Sequence, residues 1–107
     1  YVADSAGVLD VPYLGAVDGL VGLRDRFDHV VVAFGAVDRR TMVRRAQLLN
    51  WLEETGAPLK HLVSPRAVVS KGVSLGAGCV IAHGAVLSVD ATVGAFSIVN
   101  TNAAIGH

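Results

Sequence analysis

The chain has one cysteine, Cys79, so no internal disulfide can form. Charge is sparse, and its nine basic residues are balanced by nine acidic ones. With no net field, nothing electrostatic draws the chain to nucleic acid or to an anionic membrane. Long hydrophobic runs are missing too. The apolar stretches are broken by glycine and fall far short of the roughly 20 residues that span a bilayer. No signal peptide is visible, and a lone thiol sets a reduced cytoplasm as the expected location. An initiator Met is also missing. The chain opens at Tyr1 and stops at His107 within a repeat, so the expectation is an internal segment of a longer protein.

What is present is a period. From Val63 onwards every sixth residue is a branched aliphatic: Val63, Val69, Leu75, Ile81, Leu87, Val93, Val99 and Ile105. With Val, Leu and Ile at roughly a third of the chain, chance gives such a run with odds on the order of one in a thousand or less. Six matches neither the helical nor the strand period. It is the mark of a hexapeptide solenoid, in which short flat strands end in turns and three strands make one triangular coil. Two positions before each aliphatic stand His61, Ala67, Val73, Cys79, Ala85, Ala91, Ser97 and Ala103, mostly small, as tight corners need. One position after stand Ser64, Ser70, Gly76, Ala82, Ser88, Gly94, Asn100 and Gly106. Glycine in this second column is expected to supply the positive φ of the turns.

The front half has different grammar. Val2-Ala3-Asp4 could close a strand. Asp18 to Phe27 has helical spacing, with Asp18 as N-cap. His29 to Phe34 is apolar on both faces, as a buried parallel strand is. The spacing predicts a helix from about Asp38 to Thr55. Met42, Val43, Ala46, Leu49, Trp51 and Leu52 form its apolar stripe, with Arg44 and Arg45 mostly outside it, and Gly56 is its stop. Leu59 to Val63 reads as one more strand. Alternating strands and helices predict an open α/β sheet, here partial. The expected division is 1–62 for the α/β part and 63–107 for the solenoid.

These residues resemble a known family. The hexad run, Leu75-Gly76 and Val93-Gly94 in particular, is similar to the left-handed parallel β-helix of hexapeptide-repeat acyltransferases. The front half contains Val11-Pro12-Tyr13-Leu14-Gly15 and Val31-Val32-Ala33-Phe34-Gly35. It leads into Ser64-Pro65-Arg66-Ala67 and ends at Asn100-Thr101 and His107. That order resembles the sialic acid O-acetyltransferase and bacillosamine-type sugar N-acetyltransferase group. The resemblance implies a Rossmann-like nucleotide-sugar domain, acetyl-CoA as co-substrate along the β-helix, and a homotrimer with its reaction at the interface. It makes His107 the general base and puts Asn100 near the active site. It maps a nucleotide-contacting acidic residue onto Asp4. The family's Gly-Asn-Asn turn reads Gly35-Ala36-Val37 here, leaving Gly35 as the substrate-binding candidate. The residues contacting acetyl-CoA stay unassigned.

The chemistry asked of such a site is small. A nucleophile attacking a thioester must lose a proton, and imidazole titrates near neutrality. Glycine-bearing turns offer backbone N–H groups for an oxyanion. Each candidate also has a plainer reading. His107 is a turn histidine, and such residues are commonly solvated. Asn100 suits a turn without any catalytic role. His83 shares the hexad column of His107 but falls on another face. His29 and His61 flank strands, Cys79 fits a small corner, and Arg39, Arg40, Arg44 and Arg45 suit a wet helix face. Two other functions remain open. One is a non-catalytic trimerising or nucleotide-sugar-sensing module. The other is a hexapeptide zinc enzyme, for which His83 and His107 alone do not make the three-histidine set.

Overall fold

The computed structural model describes residues 7, 10–33 and 35–107. The expected strand at Val2-Ala3-Asp4 lies outside them. The C-terminal half is a three-sided parallel β-helix. Its strands are β1 (Leu62–Val63), β2 (Val68–Val69), β3 (Ser74–Leu75), β4 (Val80–Ile81), β5 (Val86–Leu87), β6 (Thr92–Val93), β7 (Ile98–Val99) and β8 (Ala104–Ile105). They stack into a first face β1-β4-β7, a second face β2-β5-β8 and a third face β3-β6. Register puts like on like: Val63 on Ile81 on Val99, Val69 on Leu87 on Ile105, Leu75 on Val93. Except for Val69, which is 40% exposed, these aliphatics join Cys79 and Ala85 in one core. Ile81 and Leu87 are almost fully excluded from solvent.

The corners differ from the expected pattern. Gly76, Gly94 and Gly106 do not carry the positive φ. The left-handed residues stand two places further on, at Gly72, Gly78, Gly84, Asp90, Phe96 and Asn102. The reason lies in the turn geometry. Val73 donates its N–H to the Ser70 carbonyl, Ala85 to Ala82, Ala91 to Ser88 and Ala103 to Asn100. A type II turn closed this way needs positive φ at its third residue. Gly76 is small for another reason. A Cβ there would collide with the Ala95 backbone of the next coil. The first corner, Ser64-Pro65-Arg66-Ala67, closes without a left-handed residue, and the Ser64 hydroxyl accepts the Arg66 N–H at 3.2 Å.

In the front half, the expected helix at 18–27 is a 3-10 helix, Val17–Arg26, and its N-cap is Ala16 rather than Asp18. The second helix, α1, spans Arg39–Glu54. Asp38 caps it through a reciprocal box. The Thr41 N–H and hydroxyl each donate to Asp38 Oδ1 at 2.8 Å, and the Asp38 N–H donates to Thr41 Oγ1 at 3.2 Å. Gly56, at φ +68°, follows the C-terminus. The buried face is set by Arg45, Leu49 and Leu52, with Leu48 and Trp51 flanking it. The stripe therefore differs from the expected one: Met42 and Val43 are 61% and 50% exposed, while Arg45 is buried. Positions 45, 49 and 52 share one helical face, so Arg45 goes in with its neighbours.

Val30 and Leu59 form a parallel bridge, held by Val30 N–H to the Pro58 carbonyl and Lys60 N–H to the Val30 carbonyl. Val32 is buried while Val31 is 39% exposed, so the run from His29 buries one side only, and Phe34 lies outside the described residues. Leu59 pairs with Val30, whereas Leu62 and Val63 already belong to the β-helix. No helix among the described residues is long and apolar enough to cross a membrane.

Two outcomes follow. Leu87→Ala empties the middle of the core and should cost about 2–5 kcal/mol in urea unfolding, whereas Val68→Ala, on the outward side, should change stability by only about 0.5 kcal/mol. The Thr41 N–H and then its hydroxyl hold the Asp38 carboxyl below the usual carboxylate range. The charged cap is thus fully effective above the unfolded-state pKa and is lost as pH falls through the depressed folded value, below about pH 4. Helicity at 222 nm should fall in that window. Asp38→Asn should keep the cap and remove its share of the pH dependence.

Candidate active site

Hexad register decides where each polar side chain emerges. Asn100 follows β7 at the corner between the first and second faces, directly above Ala82. His107 follows β8 at the corner between the second and third faces, in one column with Lys71 and Val89. Asn100 and His107 therefore bracket a single strand, β8, one at each end. Both are exposed. Asn100 is oriented locally, since its Oδ1 accepts the Thr101 N–H at 2.8 Å. Gly106 beside His107 faces open space.

His83 occupies the Asn100 corner one coil below, where its carbonyl accepts the Asn102 N–H at 3.2 Å. His83 and His107 thus stand at different corners, as their 24-residue separation requires with 18 residues per coil. Among the described residues, no three His, Cys, Asp or Glu side chains group to hold a metal ion.

Gly35 lies on the first face. A Cβ built on it would sit 3.8 Å from Ile98 Cδ1. Ile98 starts β7, two residues before Asn100, so the loop entering α1 rests beside the Asn100 corner. Val37 and Asp38 in this loop both donate backbone N–H groups to Thr41 Oγ1. Gly35 and Asn100 are thereby brought to one region, with His107 across β8. Asp4 lies outside the described residues.

The outward side chains differ from face to face. The second face shows Val68, Val86 and Ala104, and the third shows Ser74 and Thr92. An apolar strip therefore runs between the two corners that carry Asn100 and His107. Cys79 is fully buried at a third corner, and burial pushes its thiol pKa up. It offers neither access nor a thiolate.

The arrangement defines a hexapeptide β-helix with an exposed imidazole at a corner and an α/β segment resting on an adjoining face. Known structures place it further. A histidine-to-asparagine mutant of perosamine N-acetyltransferase from Caulobacter crescentus, in complex with CoA and GDP-perosamine, is 32% identical over 95% of this chain, with a TM-score of 0.79. PerB from the same organism, with the same ligands, is 33% identical over 92% of the chain, with a TM-score of 0.77. The acetyltransferase domain of PglB from Neisseria gonorrhoeae FA1090, in complex with acetyl coenzyme A, is 26% identical over 99%, with a TM-score of 0.76. The chain spans 46% to 50% of the length of these proteins. No family model matches the sequence, and no curated protein does. The expected resemblance to hexapeptide-repeat sugar acetyltransferases holds.

Sequence reasoning missed the contact of Gly35 with Ile98 and the unusual place of Phe96. The second had a signal. The column Gly72, Gly78, Gly84, Asp90, Phe96, Asn102 holds one residue ill suited to a left-handed backbone. The burial of Cys79 gives a direct test. The native chain should react with a thiol reagent at least a hundredfold more slowly than the chain in denaturant, read as absorbance from released reagent.

Proposed function

We propose that this chain is part of an acetyl-CoA-dependent acetyltransferase that acts on an amine or hydroxyl of a nucleotide-linked sugar. The observation that carries the reading is the match over 95% of the chain to an acetyltransferase solved with CoA and GDP-perosamine. In that protein a histidine was the residue replaced, and in this chain His107 stands exposed at a β-helix corner.

Acetyl-CoA supplies the activated acyl group. An extended thiol-bearing arm needs a flat, partly apolar surface leading to the base. The strip of Val68, Val86 and Ala104, ending at the His107 corner, would hold it. The sugar nucleophile attacks directly, because the buried Cys79 cannot form an acyl-enzyme. His107 accepts the nucleophile's proton and returns it to the departing sulfur. Backbone N–H groups at the corner turn stabilise the oxyanion, and the open space at Gly106 admits the substrate. Asn100, at the other end of β8, orients the substrate, and Gly35 lets it approach the loop before α1. Asp4 contacts the nucleotide.

The wider architecture belongs to the same proposal. Residues 1–62 form part of a Rossmann-like nucleotide-sugar domain, which the parallel Val30–Leu59 bridge and the α1 helix support. Residues 63–107 form a left-handed β-helix, with Leu62 paired onto it at its first strand. The assembly is a homotrimer, in which a neighbouring copy would close over the coenzyme arm lying on Val68 and Val86, 56% and 40% exposed. The location is cytoplasmic, in keeping with a free thiol.

The test uses the full-length protein that contains this segment. His107→Ala should lower thiol release from acetyl-CoA in the presence of a nucleotide amino-sugar by about a hundredfold or more. Its oligomeric state should match that of the unaltered protein. Undiminished turnover would refute the role of His107. No binding of acetyl-CoA in calorimetry would favour the trimerising or sensing module instead.

A further inference from the structure

We infer that Phe96 is a positioning residue that fixes the α/β half against the β-helix coil carrying Asn100 and His107. This rests on the acyl-transfer reading of that coil. Phe96 has φ +63°, a left-handed backbone that a bulky aromatic rarely adopts. The other left-handed corners use Gly, Asp or Asn. Such a conformation persists only where the surroundings hold it.

Two observations show what holds it. The ring folds down over Gly78 of the preceding coil, with Cδ1 only 2.7 Å from where a Gly78 Cβ would be. Leu59 Cδ2 lies 4.0 Å from that same point. The ring also packs on the front-half cluster of Leu20, Val32, Leu49 and Leu52, and not in the solenoid core. Phe96 is the β-helix side chain joined to that cluster. Its backbone is meanwhile tied to the coil below, with the Phe96 N–H donating to the Ala77 carbonyl at 2.9 Å.

The chain then runs directly into β7 and Asn100. Gly35 lies beside the same strand, where a Cβ would come 3.8 Å from Ile98 Cδ1. The front half therefore grips the Asn100-bearing strand twice, at its entrance and on its outer surface. The turn closed by the Ser97 N–H on the Gly94 carbonyl asks for the left-handed backbone here as at the other corners, so what sets Phe96 apart is that an aromatic ring is carried at this position. The ring is turned out of the solenoid and into the neighbouring core.

Phe96→Gly separates the two effects, because glycine accepts the backbone and removes the ring. In hydrogen exchange on the full chain, α1 amides near Leu49 and Leu52 should exchange at least tenfold faster. The amides of Val80 and Ala82, which bond to the coil above, should not accelerate. Phe96→Tyr should restore α1. Unchanged α1 exchange, or equal acceleration of α1 and the coils, overturns the assignment. In the full-length protein, Phe96→Gly should lower kcat at least tenfold and move the KM for acetyl-CoA less than twofold, with Phe96→Tyr recovering kcat. An unchanged kcat also overturns it. If exchange behaves as expected but the unaltered protein transfers no acetyl group, the acyl-transfer reading fails and the mechanical coupling stands.

Discussion

The structure depends on register between coils. The N–H of Leu62 reaches the Cys79 carbonyl and that of Val80 reaches the Ser97 carbonyl, at 2.8 Å each. Every such bond joins residues about one coil apart, so an isolated hexad has no partner for its backbone. The same register stacks aliphatic on aliphatic. Hydrogen bonding and burial therefore select one alignment, and a slip by one residue would turn the core outward. The strands are only two residues long, so their order comes from this repetition rather than from strand length.

The corners convert register into position. Three glycines of one coil, Gly72, Gly78 and Gly84, lie beneath Asp90, Phe96 and Asn102 of the next. Each upper side chain occupies the space that a lower Cβ would fill. The glycines thus serve twice, giving the left-handed backbone and making room for the coil above. The side chains proposed for function emerge from these corners, where the turn backbone is most constrained. Asn100 and His107 owe their separation to the short, flat β8 between them.

Much of this was legible in the sequence because a hexapeptide coil is a local code. The inward column, the small corner column and the placement of His83 and His107 at different corners all follow from counting. The left-handed positions were misplaced by two residues, because a glycine count does not distinguish conformational need at Gly84 from steric need at Gly76. The front half was less legible. The α1 boundaries could be read from Asp38 and Gly56, which act through neighbours in sequence. Its buried face was legible at Leu49 and Leu52 but not at Arg45, which is chosen by the packing of those two against distant residues. Nor was the rest of Gly35 on Ile98, a contact across more than sixty positions in which the glycine has no side chain to announce it.

The uniform coil has an evolutionary implication. Parallel neighbours sit about 4.8 Å apart, so an imidazole at a corner can be raised or lowered along the prism only in whole steps of that height. Insertions of any length other than a multiple of 18 residues would rotate it to another corner or break the rungs. Lineages built on this scaffold would shift a corner side chain relative to the appended front half by adding or deleting complete turns, and not by gradual drift.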